Sequence, residues 1–309
     1  MSENKYNLII IGAGPAGLSA ALYASRGSLS TLVLEKGLCG GELNNTEEIE
    51  NYPGIDAKKG SELAEMMTNH AKKFGAEIKE LITIHSIDLK SKIKTVKTDI
   101  GDFYSDAIII ATGSEHRKLG VKGEKEFAGK GVSYCATCDG AFFKNKHVVV
   151  IGGGNSAIEE AIFLTRYVEK ITIVHRRDSL RAEKILQKRA FSNSKISFIW
   201  DTTIEEIKGE KTVNQVILKN LKTGEVSNLS CDGVFIYVGL EPNVSLFKEQ
   251  IEIDPENKVL SDKFLHTNIN GVFVAGDVRN TPLRQAVNAA SDGALAAVSA
   301  INYIESLED

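Results

Sequence analysis

The sequence predicts an α/β fold built twice over, with a small β layer in each half and one half inserted into the other. Three observations predict it. Two apolar runs, residues 7–11 and 147–151, each lead straight into a glycine-rich turn, a helical stretch and a second apolar run. Each of these units is followed by short alternating strands with polar turns. A last apolar run, residues 271–275, follows the second unit yet resembles neither of its neighbours. Continuous apolar strands alternating with helices point to parallel sheet covered on both faces.

The first unit starts with the Ile-rich run 7–11. Gly12-Ala13-Gly14-Pro15-Ala16-Gly17 follows at once, then an apolar helical stretch over 18–25 and a strand over 31–34 that ends in Glu35. A strand, a G-x-G-x-x-G turn, a helix and an acid about 20 residues further on are the parts of a Rossmann-like dinucleotide site. The glycines let backbone approach a pyrophosphate, the helix N-terminus offers N–H groups and partial positive charge, and Glu35 can accept ribose hydroxyls.

Some 140 residues later the pattern recurs, with strand 147–151, turn Gly152-Gly153-Gly154-Asn155-Ser156-Ala157, helix 158–164 and strand 170–174. Gly12 matches Gly152, Gly14 matches Gly154, and Ala157 stands where Gly17 stood, a position that tolerates Ala. Two such sites imply two nucleotide cofactors. The units differ where a ribose is read. Glu35 is replaced by His175, followed by Arg176, Arg177 and, a helical turn on, Arg181. A carboxylate there would repel a 2′-phosphate and guanidinium groups would bind it, so the second site is expected to take NADPH rather than NADH. The alternative is a solvated basic helix start.

The stretches 77–103 and 196–228 read as strand meanders, a three-stranded β layer for each half. The run 271–275 ends in Gly276-Asp277, and a helix is expected to begin near Arg284, Gln285 and Ala286. Its N-terminus can face a cofactor diphosphate or ring, and Asp277 a ribityl hydroxyl. If that strand completes the first half, residues 1–114 and 245–309 form one discontinuous domain and 115–244 an inserted one. The crossings fall within 113–123 and 239–245.

Four cysteines in 309 residues are too few and too scattered for a secreted disulfide framework, yet Cys135 and Cys138 stand in a C-x-x-C pattern, Tyr134-Cys135-Ala136-Thr137-Cys138-Asp139-Gly140. Such a pair can close a small reducible disulfide with one low-pKa thiol. Asp139 can carry a proton to or from a leaving thiolate. A structural zinc needs about four ligands and no second cluster supplies them; two buried structural thiols are the other alternative. Hydride transfer moves two electrons, as does a dithiol–disulfide couple, and a flavin connects the two. The first nucleotide site is therefore expected to hold FAD. Cys39 and Cys231 read as free thiols, Cys39 close to the flavin loop.

Hydrophobic residues make up 42% and charged residues 25%, and the net charge is −4. That balance suggests neither a nucleic acid nor an anionic membrane as partner. The polar start MSENKY lacks a signal-peptide layout and no apolar run reaches membrane-spanning length, which points to the cytoplasm.

With these motifs assembled, the chain resembles the low-molecular-weight bacterial thioredoxin reductases. The resemblance rests on GAGPAG (12–17), EKGLCGGEL (35–43), ENYPG (50–54), ATG (111–113), CATCDG (135–140), GGGNSA (152–157), HRRDSLRAEK (175–184), VGLEPN (238–243) and GVFVAGDV (271–278). These run nearly end to end in the family's order. The resemblance implies a homodimer that carries FAD without a covalent bond, oxidises NADPH and reduces thioredoxin. FAD would be held by Gly12, Gly14, Pro15, Ala16, Gly17, Glu35, Lys36, Gly40, Gly41, Glu42, Leu43, Asn51, Thr112, Gly113, Gly276, Asp277, Arg284, Gln285 and Ala286. NADPH would be held by Gly152, Gly154, Asn155, Ser156 and Ala157, with His175, Arg176, Arg177 and Arg181 on its 2′-phosphate. Cys135 and Cys138 would be the redox disulfide, with Asp139 as acid–base partner; either sulfur can be the one that faces the flavin, and Cys138 is the favoured one. It also implies an NADPH domain that rotates about its two linkers between two orientations. The loop GLCGGEL departs from the family by its Cys and Glu. A ferredoxin-dependent relative would lack the intact second glycine turn and arginine cluster, and a ferredoxin–NADP-type reductase would lack the cysteine pair.

Overall fold

The computed structural model describes residues 4–46 and 49–307. The chain divides into two compact units, one made of Met1–Glu115 with Glu241–Asp309 and the other of His116–Leu240.

The first unit opens with β1 (Lys5–Ile11), α1 (Pro15–Arg26) and β2 (Thr31–Leu34). Leu8, Ile9 and Ile10 have no exposed surface, as a strand covered on both faces requires. Pro15 occupies the first turn of α1, where its missing N–H removes no helical bond. α2 (Gly60–Lys73), β3 (Glu77–Lys79), β4 (Ile84–Asp88), β5 (Lys94–Thr98) and β6 (Gly101–Ile110) follow. β7 (Ser114–His116) carries the chain across into the second unit.

That unit contains β8 (Val132–Ser133), the short α3 (Ala136–Asp139), β9 (His147–Ile151), α4 (Asn155–Leu164), β10 (Lys170–Val174), α5 (Lys184–Phe191) and β11 (Ile196–Ile199). The strands β12 (Thr202–Gly209), β13 (Val213–Asn220), β14 (Val226–Ser230) and β15 (Gly233–Ile236) complete it. β16 (Leu240–Pro242) returns the chain to the first unit and pairs with β7 in a ribbon of two strands. β17 (Val272–Val274) and α6 (Ala286–Glu305) finish the fold.

The first unit's seven-stranded sheet runs β3-β2-β1-β6-β5-β4, with β17 also on β6. β17 pairs Val272, Phe273 and Val274 in parallel with Ile108, Ile109 and Ile110, so the late apolar run lies in the sheet begun by β1. The second unit has a five-stranded sheet, β11-β10-β9-β15-β8, and a separate antiparallel sheet, β12-β13-β14.

One detail differs from the sequence reading. Residues 77–79 and 196–199 were expected in the meanders, but β3 and β11 pair in parallel with β2 and β10. The three-stranded layer of the first unit, β4-β5-β6, is antiparallel and continuous with the parallel sheet. β6 is ten residues long, so its first half pairs antiparallel with β5 while its second half lies between β1 and β17. Alternation in a short strand cannot tell an edge of the parallel sheet from a meander.

One core lies where α1 and α6 pack over the first sheet, with Ala20, Ala21 and Ala24 against Ala296, Ala297 and Ala300, all fully buried. Small side chains let the helices approach closely and set the glycine turn before α1 beside the loop before α6. The second unit buries Val148, Val150, Ile171, Ile173 and Phe235 under α4 and α5.

Candidate active site

In the first unit Gly12 sits at φ +103°, and a Cβ there would strike the Ala111 carbonyl at the end of the neighbouring strand. A side chain cannot enter between these two strand ends. The N-cap of α1, Gly14, makes no side-chain capping bond, and a Cβ on it would meet nothing nearer than the Gly41 Cα at 4.0 Å. The first-turn donors of α1 are left for an anion. Glu35 folds back to this turn. Its Oε2 accepts the Ala13 N–H at 2.6 Å and its Oε1 the Gly37 N–H at 2.8 Å. The Gly40 N–H donates to the Ala13 carbonyl at 2.7 Å, so the loop through Gly40 and Gly41 is tied to the turn.

Residues far apart in sequence join this cradle. Asn51 donates to the Gln285 side-chain carbonyl at 3.0 Å, just before α6. Thr112 and Asn243 exchange side-chain bonds with each other's carbonyls at 2.8 and 3.0 Å. Asp292 on α6 accepts the Gly276 N–H at 3.1 Å and a bidentate pair from Arg279 at 2.7 and 2.9 Å, which fixes the loop carrying Asp277. Burial pushes the Asp277 carboxyl up to about 6; Arg284 opposes that rise, and the Glu42 and Asp292 charges add to it. A sunken carboxyl beside two other acids gains from a hydroxyl donor. Together with the uncapped helix start, this fits the ribityl chain and diphosphate of FAD. Lys36, Glu42 and Asn51 are exposed, and Leu43 is buried in the small core under α2.

In the second unit Gly152 sits at φ +144° against the Tyr237 carbonyl, repeating the arrangement at Gly12. The N-cap of α4, Gly154, again makes no side-chain capping bond and has open space where a Cβ would be. Arg181 and Ala182 donate their N–H groups to the Gly153 carbonyl at 2.7 and 3.1 Å, which brings the arginine segment to the glycine turn. Arg176, Arg177 and Arg181 are exposed, and among the described residues none of them has an ion-pair partner.

His175 was grouped with those arginines, but the structure sets it apart. It is 5% exposed, and its ring fills the space directly beneath Gly153. Desolvation, then the charges of Arg181, Arg176 and Arg177, hold its pKa below the usual range, so it is neutral near pH 7. Its Nε2 is buried with no hydrogen-bond partner. Such an orphaned atom beside unpaired guanidinium groups and an uncapped helix fits a phosphorylated nucleotide. Asn155 is engaged with Glu183, donating to its carboxylate at 2.9 Å and accepting its N–H at 2.8 Å, so it braces α4 against the start of α5.

Cys135 and Cys138 form a disulfide with Cα atoms 5.4 Å apart. Cys135 caps α3, and its sulfur accepts the Cys138 N–H at 3.1 Å. Ser133 accepts the Cys135 N–H at 3.1 Å and donates to its carbonyl at 3.2 Å. Cys138 is exposed and Asp139 half-buried. Asp139 also lines a cavity of about 240 Å³ with Lys130, Ser133, Phe142 and Lys146.

Several residues around the pair carry no motif that reveals them. The Tyr237 hydroxyl accepts the Ala136 N–H at 3.0 Å. Buried Glu124 accepts the Tyr134 hydroxyl at 2.6 Å and the Leu119 and Gly120 N–H groups at 2.8 and 2.6 Å. Cys39 is held away from reactivity. Its N–H donates to Glu80 at 2.6 Å, and burial, then Glu80, push its thiol up to about 12. Burial does the same for Cys231, also to about 12.

Two dinucleotide-type turns and a reducible cysteine pair in one chain describe a pyridine-nucleotide-linked disulfide oxidoreductase. The model of the pyridine nucleotide-disulphide oxidoreductase family matches residues 6–293, and the chain belongs to that family. It is 52% identical over 310 residues to a thioredoxin reductase of Listeria innocua, covering 100% of this chain and 97% of that protein. It is 49% identical over 311 residues to a thioredoxin reductase of Bacillus subtilis, covering 100% and 98%. The crystal structure of Lactococcus lactis thioredoxin reductase superposes with a TM-score of 0.95 at 46% identity, over 97% of this chain and 99% of that one. The chain is an NADPH-dependent flavoenzyme of the thioredoxin reductase group, using FAD and NADPH.

Proposed function

We propose that the chain reduces thioredoxin, carrying electrons from NADPH through FAD to Cys135–Cys138 and on to the protein disulfide. The observation that carries this reading is the disulfide itself, closed at the head of α3 in the same unit as the arginine-flanked glycine turn. Bound FAD would supply two-electron relay chemistry between the nicotinamide and the disulfide.

The unit made of residues up to Glu115 and from Glu241 is assigned to FAD. Its diphosphate goes to the turn of Gly12, Gly14, Pro15, Ala16 and Gly17, a ribose to Glu35, and the ribityl chain to Asp277. Thr112, Arg284, Gln285 and the loop Gly40–Leu43 close around the remainder. The unit His116–Leu240 is assigned to NADPH, with diphosphate on Gly152, Gly154 and the start of α4, and the 2′-phosphate on Arg176, Arg177 and Arg181. His175 acts there as a neutral floor beneath Gly153 rather than as a fourth cation.

At the cysteine pair a thiolate of the dithiol form attacks one sulfur of the partner disulfide, and the partner's other sulfur leaves as a thiol. The second cysteine then displaces the partner, which restores Cys135–Cys138 and leaves a reduced partner dithiol. Asp139, next to Cys138, is placed to return the proton these steps require. The resemblance to low-molecular-weight bacterial thioredoxin reductases supports a homodimer working in the cytoplasm. Among the described residues no helix is long and apolar enough to cross a membrane.

The reading is tested by NADPH oxidation with oxidised thioredoxin as acceptor. Wild type should turn over steadily, and Cys138→Ser should keep its yellow cofactor yet reduce no thioredoxin. Full turnover by that variant would refute it.

A further inference from the structure

The redox pair depends on an amide whose acceptor lies outside the motif. Ala136, between the two cysteines, has no exposed surface, and its N–H is one of the first-turn donors of α3 that the helix itself leaves unpaired. The Tyr237 hydroxyl accepts it at 3.0 Å. Tyr237 follows β15 and lies two residues before the Gly239 of the returning crossing. Its ring packs edge-on against His116 of β7, centroids 5.7 Å apart. The phenol is 7% exposed, and burial, then the Glu160 charge, raise its pKa, so it keeps its proton and serves the amide through an oxygen lone pair.

The donors at the head of α3 are thereby shared out. Ala136 goes to Tyr237, Cys135 to Ser133 and Cys138 to the Cys135 sulfur. We infer that Tyr237 is a positioning residue that sets the dithiol–disulfide balance of Cys135 and Cys138. With the hydroxyl removed, the buried Ala136 N–H is orphaned. The turn can relieve it only by shifting. The ring closed through the two sulfurs resists that shift, and the opened dithiol permits it, so the penalty falls mainly on the disulfide form.

The inference rests on the pair being the redox centre. The test uses FAD-loaded wild type and Tyr237→Phe, which retains the ring and its packing. Both are equilibrated without oxygen in thiol–disulfide buffers of graded ratio, trapped by alkylation and read by mass. At a given buffer ratio the variant should show a dithiol-to-disulfide ratio higher by about fivefold or more. Fivefold corresponds to about 20 mV for a two-electron couple. A ratio within about twofold of wild type, whether or not the melting temperature falls, would overturn the inference. Unfolding of both proteins in both redox forms gives a second readout. The substitution should destabilise the disulfide form more than the dithiol form, and equal losses would also overturn it. A wild-type pair that no buffer reduces would instead defeat the redox reading itself.

Discussion

Replacing Arg176 and Arg177 together by Ala removes two guanidinium groups that stand exposed after β10, without ion-pair partners among the described residues. Little folding free energy depends on them, and the change in stability should stay within about 0.5 kcal/mol. Their effect belongs to the nucleotide. A hydrogen bond to a charged group contributes about 1.5–3 kcal/mol, and exposure to water places both at the lower end. Two such bonds come to about 3 kcal/mol, a loss of roughly 10²-fold in affinity. NADH has no 2′-phosphate and should lose far less. Calorimetric titration of both nucleotides into wild type and variant measures the split. An internal check is available at His175. Arg176 and Arg177 are two of the three charges that depress its pKa, so that pKa should rise partway while desolvation, the larger cause, persists. Equal weakening of NADPH and NADH would refute the 2′-phosphate assignment.

Two further outcomes follow from buried titrating groups. Asp277 is held at about 6 in the fold against an ordinary value near 4, so the folded state binds this proton more tightly than the unfolded chain does. Stability of the flavin-free protein should therefore be greatest below about pH 4 as far as this group is concerned, and fall by roughly 3 kcal/mol in all as pH rises through about 6. Asp277→Asn should match wild type near pH 4 and exceed it at pH 7 in urea unfolding; parallel profiles would contradict this. Cys39 and Cys231, both raised to about 12, should stay protonated at pH 8. Alkylation there should label no cysteine rapidly in the oxidised protein and only Cys135 and Cys138 after reduction, and a fast third thiol would count against the burial argument.

Much of the site was legible because its parts are local. A glycine turn between strand and helix is contiguous in sequence, as is the spacing of Cys135 and Cys138. The segment His175–Arg181 was legible as a charge cluster but not in its division of labour. Sequence lists His175 beside three arginines, while β10 turns it inward under Gly153. What stayed hidden was the support assembled from distant residues. Tyr237 lies 101 positions from Ala136, Asn51 lies 234 from Gln285, and Thr112 lies 131 from Asn243. No periodicity records such pairs, because each depends on which strand ends the topology brings together. The same reason explains the strands at 77–79 and 196–199, whose short length fits a sheet edge as well as a meander.

Anaerobic titration with NADPH tests the central claim most directly, comparing wild type with a Cys135→Ser, Cys138→Ser double variant at equal flavin content. The account predicts that wild type takes up one additional pair of electrons per chain before its flavin absorbance is fully bleached, and that the double variant bleaches without it. Identical uptake by the two proteins would show that electrons from the nicotinamide do not reach these sulfurs.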